Sequence, residues 1–189
     1  MTPLVTQARD CAEALLAEEL PRRWAHVRAV AAKAETISQA LELADQEVLV
    51  ASAWLHDIGY SKEVVVTGFH PLDGARWLRE HGFDSRLTQL VAHHSCALVE
   101  ADERGLRGEL ATEFRREESA TADALWYCDM TTGPDGQDFE VNDRLDEIRS
   151  RYGPRHLVTR FIQRARPEII AAVRRTEERL AALPDRQPM

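Results

Sequence analysis

The segment ASAWLHDIGYS, residues 51–61, ends an otherwise apolar stretch with a histidine–aspartate pair. Residues 48–55 are apolar nearly all round a helical path, which is typical of a helix at the centre of a domain. His56 and Asp57 close this predicted helix, and Gly59 suits a C-cap. A carboxylate near a core must be paired or bound to a metal ion. The segment therefore indicates a metal site, although a lone His-Asp pair is more often a helix cap beside an exposed aspartate.

Helical periodicity extends over nearly the whole chain, and the only β-branched cluster, residues 64–67, is short. We predict helices over about residues 3–20, 22–43, 46–58, 71–82, 85–96, 119–130 and 141–152, one or two short helices in 97–118, and two helices in 154–183. The predicted fold class is all-α, a single-domain helical bundle. Its parts are an N-terminal helix (1–20), a core (21–135) and a C-terminal helical extension that packs on the core (136–189), with a frayed tail from Pro184 onward.

The composition is that of an ordinary globular protein, with 44% hydrophobic and 30% charged residues in a chain of 189. The net charge of −8 argues against a nucleic-acid polymer or an anionic membrane as a partner. No apolar run approaches the length of a membrane span, and charged residues stand where a signal peptide would be apolar. Three scattered cysteines indicate reduced thiols, so we expect a cytoplasmic protein.

Asp129 lies on an apolar helical face, because Ala122, Leu125 and Trp126 precede it by seven, four and three residues. An unpaired carboxylate on that face would cost several kcal/mol. A metal ion removes this cost, and a salt bridge to a core arginine is the alternative. Asp123 falls off the same face and is predicted to be solvated.

Five of the seven histidines occupy positions that suit a pocket. His94 continues the apolar face of its predicted helix, and His93 borders the same region. His26 flanks the apolar face of the second predicted helix, and His70 precedes the fourth. Each of these histidines, taken singly, is more often a structural core residue. The two histidines set aside, in charged and exposed-looking contexts, are His81 and His156.

Taken together, four histidines and two aspartates on separate helices supply the nitrogen and oxygen ligands of a divalent-cation site. This ligand set suits one or two ions of Fe, Mn, Co or Ni, and it tolerates Mg or Zn. The absence of thiolate ligands argues against structural zinc.

The ordered motifs around these residues resemble the HD-domain superfamily of metal-dependent phosphohydrolases over about residues 21–135. The motifs are His26, LHDIGY with His56 and Asp57, FHPLDGARWL with His70, VAHHS with His93 and His94, and ALWYCDM with Asp129. The resemblance implies a helical bundle built around the ions. The implied ligands of a first ion are His26, His56, Asp57 and Asp129. The implied ligands of a second ion are His70 and either His94 or His93, with Asp57 bridging the pair.

The resemblance also implies phosphoryl hydrolysis, in which two cations generate a hydroxide nucleophile and clamp the attacking and leaving oxygens. The predicted catalytic residues are Asp57, His70 and Lys62. Relatives often carry lysine directly after HDIG, where this chain has Tyr60, and Lys62 follows two residues later. Further candidate phosphate contacts, each more often a plain surface charge, are Arg22, Arg23 and Arg76.

The predicted function is cleavage of a phosphoester or phosphoanhydride bond in a nucleotide or a related small phosphorylated metabolite. Two alternatives stay open: a mixed-valent di-iron oxygenase with the same ligand set, and a non-catalytic domain that senses a nucleotide. The loops at residues 60–69 and 131–138 are expected to flank the mouth of the site and set its selectivity. A homodimer through exposed-looking Trp77 and the C-terminal helices is the alternative to internal packing of these segments.

Overall fold

Residues 2–184, the part of the chain that the computed structural model describes, form ten α-helices and no β-strand. The helices are α1 (Pro3–Leu16), α2 (Pro21–Ile37), α3 (Leu43–Leu55), α4 (His70–Glu80), α5 (Ser85–Ala92), α6 (Ala97–Arg104), α7 (Arg107–Glu113), α8 (Ala120–Met130), α9 (Val141–Tyr152) and α10 (Leu157–Ala181). The predicted all-α fold class is confirmed. Among the described residues, no helix combines the length and the apolar character needed to cross a bilayer. The predicted frayed tail lies, apart from Pro184, outside the described residues.

Helix α3 lies at the centre of the fold, as its apolar sequence predicts. Every residue from Leu49 to Leu55 is buried, including Ser52. The helix packs against α1, α2, α5 and α8, so no side of its second half faces solvent. The chain leaves this buried helix at His56 and Asp57, which are also buried. The polar side chains of His56 and Asp57 therefore lie in the interior, at the point where the helix ends.

Helix α8 belongs to two apolar clusters at once. Leu125 and Cys128 pack in the main cluster with residues of α1 to α5. Trp126 and Met130, on the other side of the helix, pack with residues of α9 and α10. The C-terminal helices are therefore built on the same helix that carries Asp129.

Several helix ends differ from the predictions. Helix α1 ends at Leu16 and α2 at Ile37, each earlier than predicted. The two helices predicted in residues 154–183 are one helix, α10, which contains Pro167. Burial on both sides of Pro167, at Ala165 and Ile169, compensates for the backbone hydrogen bond that proline cannot make.

The β-branched cluster at residues 64–67 is a loop that α4 holds in place. The backbone N–H groups of Val66, Thr67 and Gly68 each donate to the buried carboxylate of Asp73, at 3.0 Å. Asp73 lies in the first turn of α4. The loop and the start of α4 therefore move as one unit.

Two side chains that we predicted to face solvent are covered by neighbouring helices. Asp123 is buried and accepts hydrogen bonds from Arg175 at 2.6 Å and Arg179 at 3.0 Å, so the prediction of a solvated carboxylate is wrong. The reason is that α10 packs along α8. Trp77 is half-buried against the main cluster and stacks on His81. A homodimer stays a prediction, while the C-terminal helices pack within the chain.

Gly59 allows the start of α4 to approach the end of α3 closely. It lies in the 3₁₀ turn Ile58–Tyr60 and does not cap α3 as predicted. A Cβ atom at Gly59 would lie 2.0 Å from the backbone oxygen of His70 and 2.7 Å from its Cα. Backbone atoms cannot move away as a flexible side chain can. Any residue larger than glycine would push His70 away from Asp57.

Replacing Gly59 with alanine is expected to lower the free energy of unfolding by about 3 kcal/mol, because the new methyl group overlaps backbone. The matched control is Gly108→Ala in α7, where nothing lies within 4 Å of the added Cβ. That change should leave stability equal or raise it by up to about 1 kcal/mol. Urea unfolding followed by circular dichroism measures both. Equal stability of the two variants would contradict the close approach.

Candidate metal centre

Two groups of potential metal ligands converge in the interior of the described chain. Within each group, the ligand atoms lie within 4.8 Å of one another. The first group is His26, His56 and Asp129, and the second is Asp57, His70 and His94. All six belong to the predicted ligand set. His26, His56, Asp57 and His94 are buried, Asp129 is 9% exposed, and His70 is half-buried.

The carboxylate of Asp57 lies between the two groups. Its Oδ2 is 3.3 Å from His56 Nε2 and 3.8 Å from His26 Nε2. Its Oδ1 is 3.3 Å from His70 Nε2. Because the two oxygens face different groups, this carboxylate has the placement of a bridge between two neighbouring cation sites.

Three of the four imidazoles are oriented by hydrogen bonds from Nδ1 to backbone carbonyls. The bonds run from His26 to Gly133 at 2.9 Å, from His56 to Ala53 at 2.8 Å and from His94 to Val91 at 2.6 Å. A carbonyl oxygen only accepts, so each Nδ1 carries the hydrogen. In the neutral ring, Nε2 then presents its lone pair to the interior. Metal-binding histidines usually make such a hydrogen bond through the ring nitrogen that does not face the ion.

Several inward-facing ring nitrogens and carboxylate oxygens lie within hydrogen-bond distance of one another. His70 Nε2 and His94 Nε2 are 3.1 Å apart, and His26 Nε2 is 3.1 Å from Asp129 Oδ1. His56 Nε2 is buried and has no hydrogen-bond partner among residues 2–184. Facing lone pairs repel unless a proton or a metal ion lies between them. The nitrogen and oxygen donors therefore fit a divalent metal ion, and the identity of the ion is open among Fe, Mn, Co, Ni and Mg.

Both carboxylates of the centre are held in the charged form. Burial by itself raises the pKa of Asp57, but Arg23 and His56 outweigh it and hold that pKa well below the ordinary value. Burial likewise raises the pKa of Asp129, and His26 and His56 lower it below its usual range. The centre thus keeps two negative charges in a buried region, which a cation would neutralise.

Burial and neighbouring carboxylates also compete in setting the pKa values of the imidazoles, with different results at different rings. Burial lowers the pKa of His56, but Asp57 and Asp129 outweigh burial and raise it to about 9. At His70 and His94, burial dominates and lowers the pKa. Neutral imidazole is the form that binds metal ions. The negative charges of Asp57 and Asp129 that stabilise a proton on His56 would also stabilise a metal ion bound in its place.

A strained turn places His94 differently from the prediction. Helix α5 ends at Ala92, so His94 lies in a 3₁₀ turn and not on a continuing helical face. Ser95 and Cys96 follow with φ values of 45° and 63°, in the left-handed region. Each costs about 1–2 kcal/mol for a residue with a side chain. The turn brings the Ser95 hydroxyl to Asp129, to which it donates a hydrogen bond.

His93, predicted as an alternative ligand, lies outside both groups. Its Nε2–H donates to the backbone oxygen of Phe114 at 2.8 Å. Its own carbonyl accepts from the Trp126 indole at 3.1 Å. The prediction of His93 as a ligand is therefore corrected: the end of α5 turns His94 inward and commits His93 to the packing of α8 and the segment around Phe114.

Lys62, predicted as catalytic, is not at the centre. Its side chain is 75% exposed and pairs with Glu19 at 2.9 Å on the surface. Among the other candidate phosphate contacts, Arg22 pairs with Asp135 at 2.7 Å, and Arg76 pairs with Glu109 at 2.7 Å. These three cations serve surface ion pairs.

Arg23 is the candidate cation that reaches the centre. Its Nη1 is 2.6 Å from Asp57 Oδ2, and its guanidinium lies 4.1 Å from the centre of the Tyr60 ring. Tyr60 in turn stacks on His70, with ring centres 4.1 Å apart and planes 17° apart. The tyrosine that follows HDIG therefore fixes the orientation of a ligand ring, a contact that no sequence pattern had indicated.

A cavity of about 220 Å³ borders the metal centre. One wall is formed by Asp57, His70, His94 and Asp129. Further lining comes from α9 and α10 and includes Arg144, Ile148, Arg151, Phe161 and Ile162. His156, which we had set aside as exposed, stands at the edge of this cavity. The C-terminal helices therefore supply part of the enclosure.

The family model of the HD domain matches residues 23–132, more than half of the chain. The chain belongs to the HD domain family, most of whose members are metal-dependent hydrolases. The match includes all six ligands of the two groups and ends before α9. No curated protein and no solved structure matches the chain in the comparisons made.

The His93 and His94 pair offers a matched test of the metal ligands. His94→Gln should lower the bound metal per chain and weaken affinity at least about tenfold, because it removes a donor from the second group. His93→Gln should keep the metal content of the unaltered protein, although it disturbs packing near Phe114. Elemental analysis after desalting, without chelator, measures both. Equal metal loss in the two variants would contradict the assignment.

Removal of bound metal is expected to lower the melting temperature, because the two carboxylates lose the cation that offsets their burial. An ion at a hundredfold excess over its dissociation constant adds about 2.7 kcal/mol. For a domain of this size, that corresponds to about 5–10 °C. Differential scanning calorimetry with and without EDTA measures the shift. The control is Asp57→Asn, whose melting temperature should not respond to EDTA.

Proposed function

We propose that this protein is a metal-dependent phosphohydrolase that cleaves a phosphoester or phosphoanhydride bond of a nucleotide or a related small phosphorylated metabolite. The observation that carries the proposal is the placement of Asp57, whose two oxygens face two separate groups of ligands beside a cavity. Two neighbouring divalent ions are the arrangement that phosphoryl displacement uses in many hydrolases.

The charge of the site supports an anionic substrate. Asp57 and Asp129 carry two negative charges, which a single divalent ion already balances. A second divalent ion, together with Arg23 against Asp57, would leave the site positive although the whole chain carries −8. A multiply charged phosphate group balances that surplus. A neutral substrate, such as a polyol for an oxygenase, would not.

The two cavities at the site support a small substrate with a distinct leaving group. The inner cavity, of about 220 Å³, shares Arg23, Tyr60, Pro134 and Arg151 with an outer cavity of about 360 Å³. The inner cavity has room for a phosphoryl group beside the metal ligands. The outer one would hold the remainder of the substrate, against mostly apolar walls such as Leu20 and Pro21. The loop residue Pro134 lies between them, in keeping with loops that set selectivity.

The residues of this chain would act mainly by positioning. Divalent ions, when bound, would lower the pKa of a water molecule and screen the charge on the phosphoryl oxygens. Asp57 would ligate on both sides, and Ser95 would hold Asp129 in place through its hydroxyl. Tyr60 would keep the His70 ring fixed by stacking, and Arg23 would offset charge at the mouth. Phosphoryl transfer needs little more from the protein than such positioning.

The test is phosphate release by protein loaded with Mg, Mn, Co or Fe under nitrogen. The substrates are nucleoside mono-, di- and triphosphates, dinucleoside polyphosphates and p-nitrophenyl phosphate. We expect at least one to be hydrolysed, and Asp57→Asn to lower kcat/KM by at least about 10³-fold, because it removes the carboxylate whose two oxygens face both ligand groups. No phosphate release from any substrate, with metal shown to be bound, would overturn the proposal. Oxygen uptake by an iron-loaded protein would instead favour the oxygenase.

The matched control is Lys62→Gln. Lys62 is exposed and pairs with Glu19, so its replacement should leave kcat/KM within about twofold of the unaltered value. A large loss in this variant would mean that the lysine after HDIG reaches the substrate. Tyr60, which occupies the position directly after HDIG, would then not take over the role of the lysine.

A further inference from the structure

Helix α9, which lies beyond the family match, brings two guanidinium groups to the cavity wall. Arg144 lies deep in that wall and is 6% exposed, and Arg151 lies at the rim that the two cavities share. They are seven residues apart, which places them on one face of the helix. Arginines of surface helices usually keep their charge in water, so a buried one here needs a physical reason.

The two arginines share one carboxylate. Glu147 accepts a hydrogen bond from Arg144 Nη1, and its Oε1 is 3.2 Å from Arg151 Nε. Arg144 Nε is buried and has no hydrogen-bond partner in the described part of the chain. One negative charge thus faces two positive charges, and the deeper guanidinium keeps an unsatisfied donor. A buried, incompletely paired charge destabilises the fold.

The surroundings of Arg144 point to an anion. Asp129 lines the same cavity, and it belongs to the first group of metal ligands. When that group holds a divalent cation, the cation offsets the charge of Asp129, and Arg144 then shares the cavity with a positive centre. Two positive groups across a small cavity repel each other unless an anion lies between them.

We propose that Arg144 binds an oxygen of the substrate's phosphoryl group, with Arg151 at the rim adding to the same anion subsite. The inference rests on the proposed phosphohydrolase function and adds a residue to it. A planar guanidinium with free donors matches the geometry of phosphate oxygens. Helix α9 and the family-matched part of the chain then form one site, in which the metal ligands and the anion subsite line the same cavity.

The deciding variant is Arg144→Met, which has a similar length and no charge. Replacing an incompletely paired buried charge with an apolar side chain is often neutral or stabilising. We therefore expect an unchanged or higher melting temperature, together with binding of inorganic phosphate about 10- to 100-fold weaker. Calorimetric titration of metal-loaded protein with inorganic phosphate measures the affinity. On a hydrolysed substrate, KM should rise by a similar factor.

The matched control is Arg149→Gln. Arg149 lies on the same helix, with a side chain 42% exposed, and does not line the cavity. Its replacement should leave phosphate affinity, KM and metal content unchanged. Arg144→Lys, which keeps the charge without the planar fork, should fall between the unaltered protein and Arg144→Met. This second variant also keeps the test decisive if the methionine variant is poorly folded.

The outcomes separate this inference from the proposed function. Phosphate binding that Arg144→Met abolishes, in a protein that hydrolyses no substrate, supports the anion subsite and overturns the hydrolase. Hydrolysis with an unchanged phosphate affinity and KM in Arg144→Met leaves the hydrolase standing and overturns the subsite. A lowered melting temperature with unchanged phosphate affinity also overturns it, because Arg144 would then be a structural residue.

Discussion

The carboxylate of Asp57 is the constraint on which the rest of the structure depends. It is 2% exposed, it is held ionised, and its two oxygens face the imidazoles of His56 and His70. Such a group is tolerable in a protein interior only with positive charge close by. Arg23 provides part of that charge at 2.6 Å. Metal ions on both sides of the carboxylate would offset the rest of its charge and would satisfy the neighbouring ring nitrogens.

The ligands reach this point because helices end there. His56 follows the last residue of α3, His70 opens α4, and His94 lies in the turn after α5. Helix ends leave backbone carbonyls without partners inside the helix, and two of these, at Ala53 and Val91, orient the His56 and His94 rings. The same carbonyls that end a helix thus fix which ring nitrogen faces the metal.

Helix α8 links the metal centre to the rest of the cavity. One side of the helix packs in the main cluster, the other packs under α9 and α10, and Asp129 lies in its last turn. The segment matched to the HD domain family supplies the metal ligands. The helices beyond that segment add further lining to the cavity. Under the proposed function, the metal-binding part supplies the chemistry and α9 supplies recognition.

The sequence by itself determined the all-helical fold and, through its ordered motifs, five of the six converging side chains, with His93 and His94 as alternatives for the sixth. A periodicity of 3.6 residues and the placement of polar residues on apolar faces are local properties, so both can be found without coordinates. Tertiary structure alone decided that His94 and not His93 turns inward, because the left-handed turn at Ser95 is a backbone conformation that no residue pattern announces. It also decided that Lys62 stays on the surface and that Arg144 reaches the cavity. These outcomes depend on which helices pack together across more than a hundred residues, and that pairing is set by the packing of the whole chain.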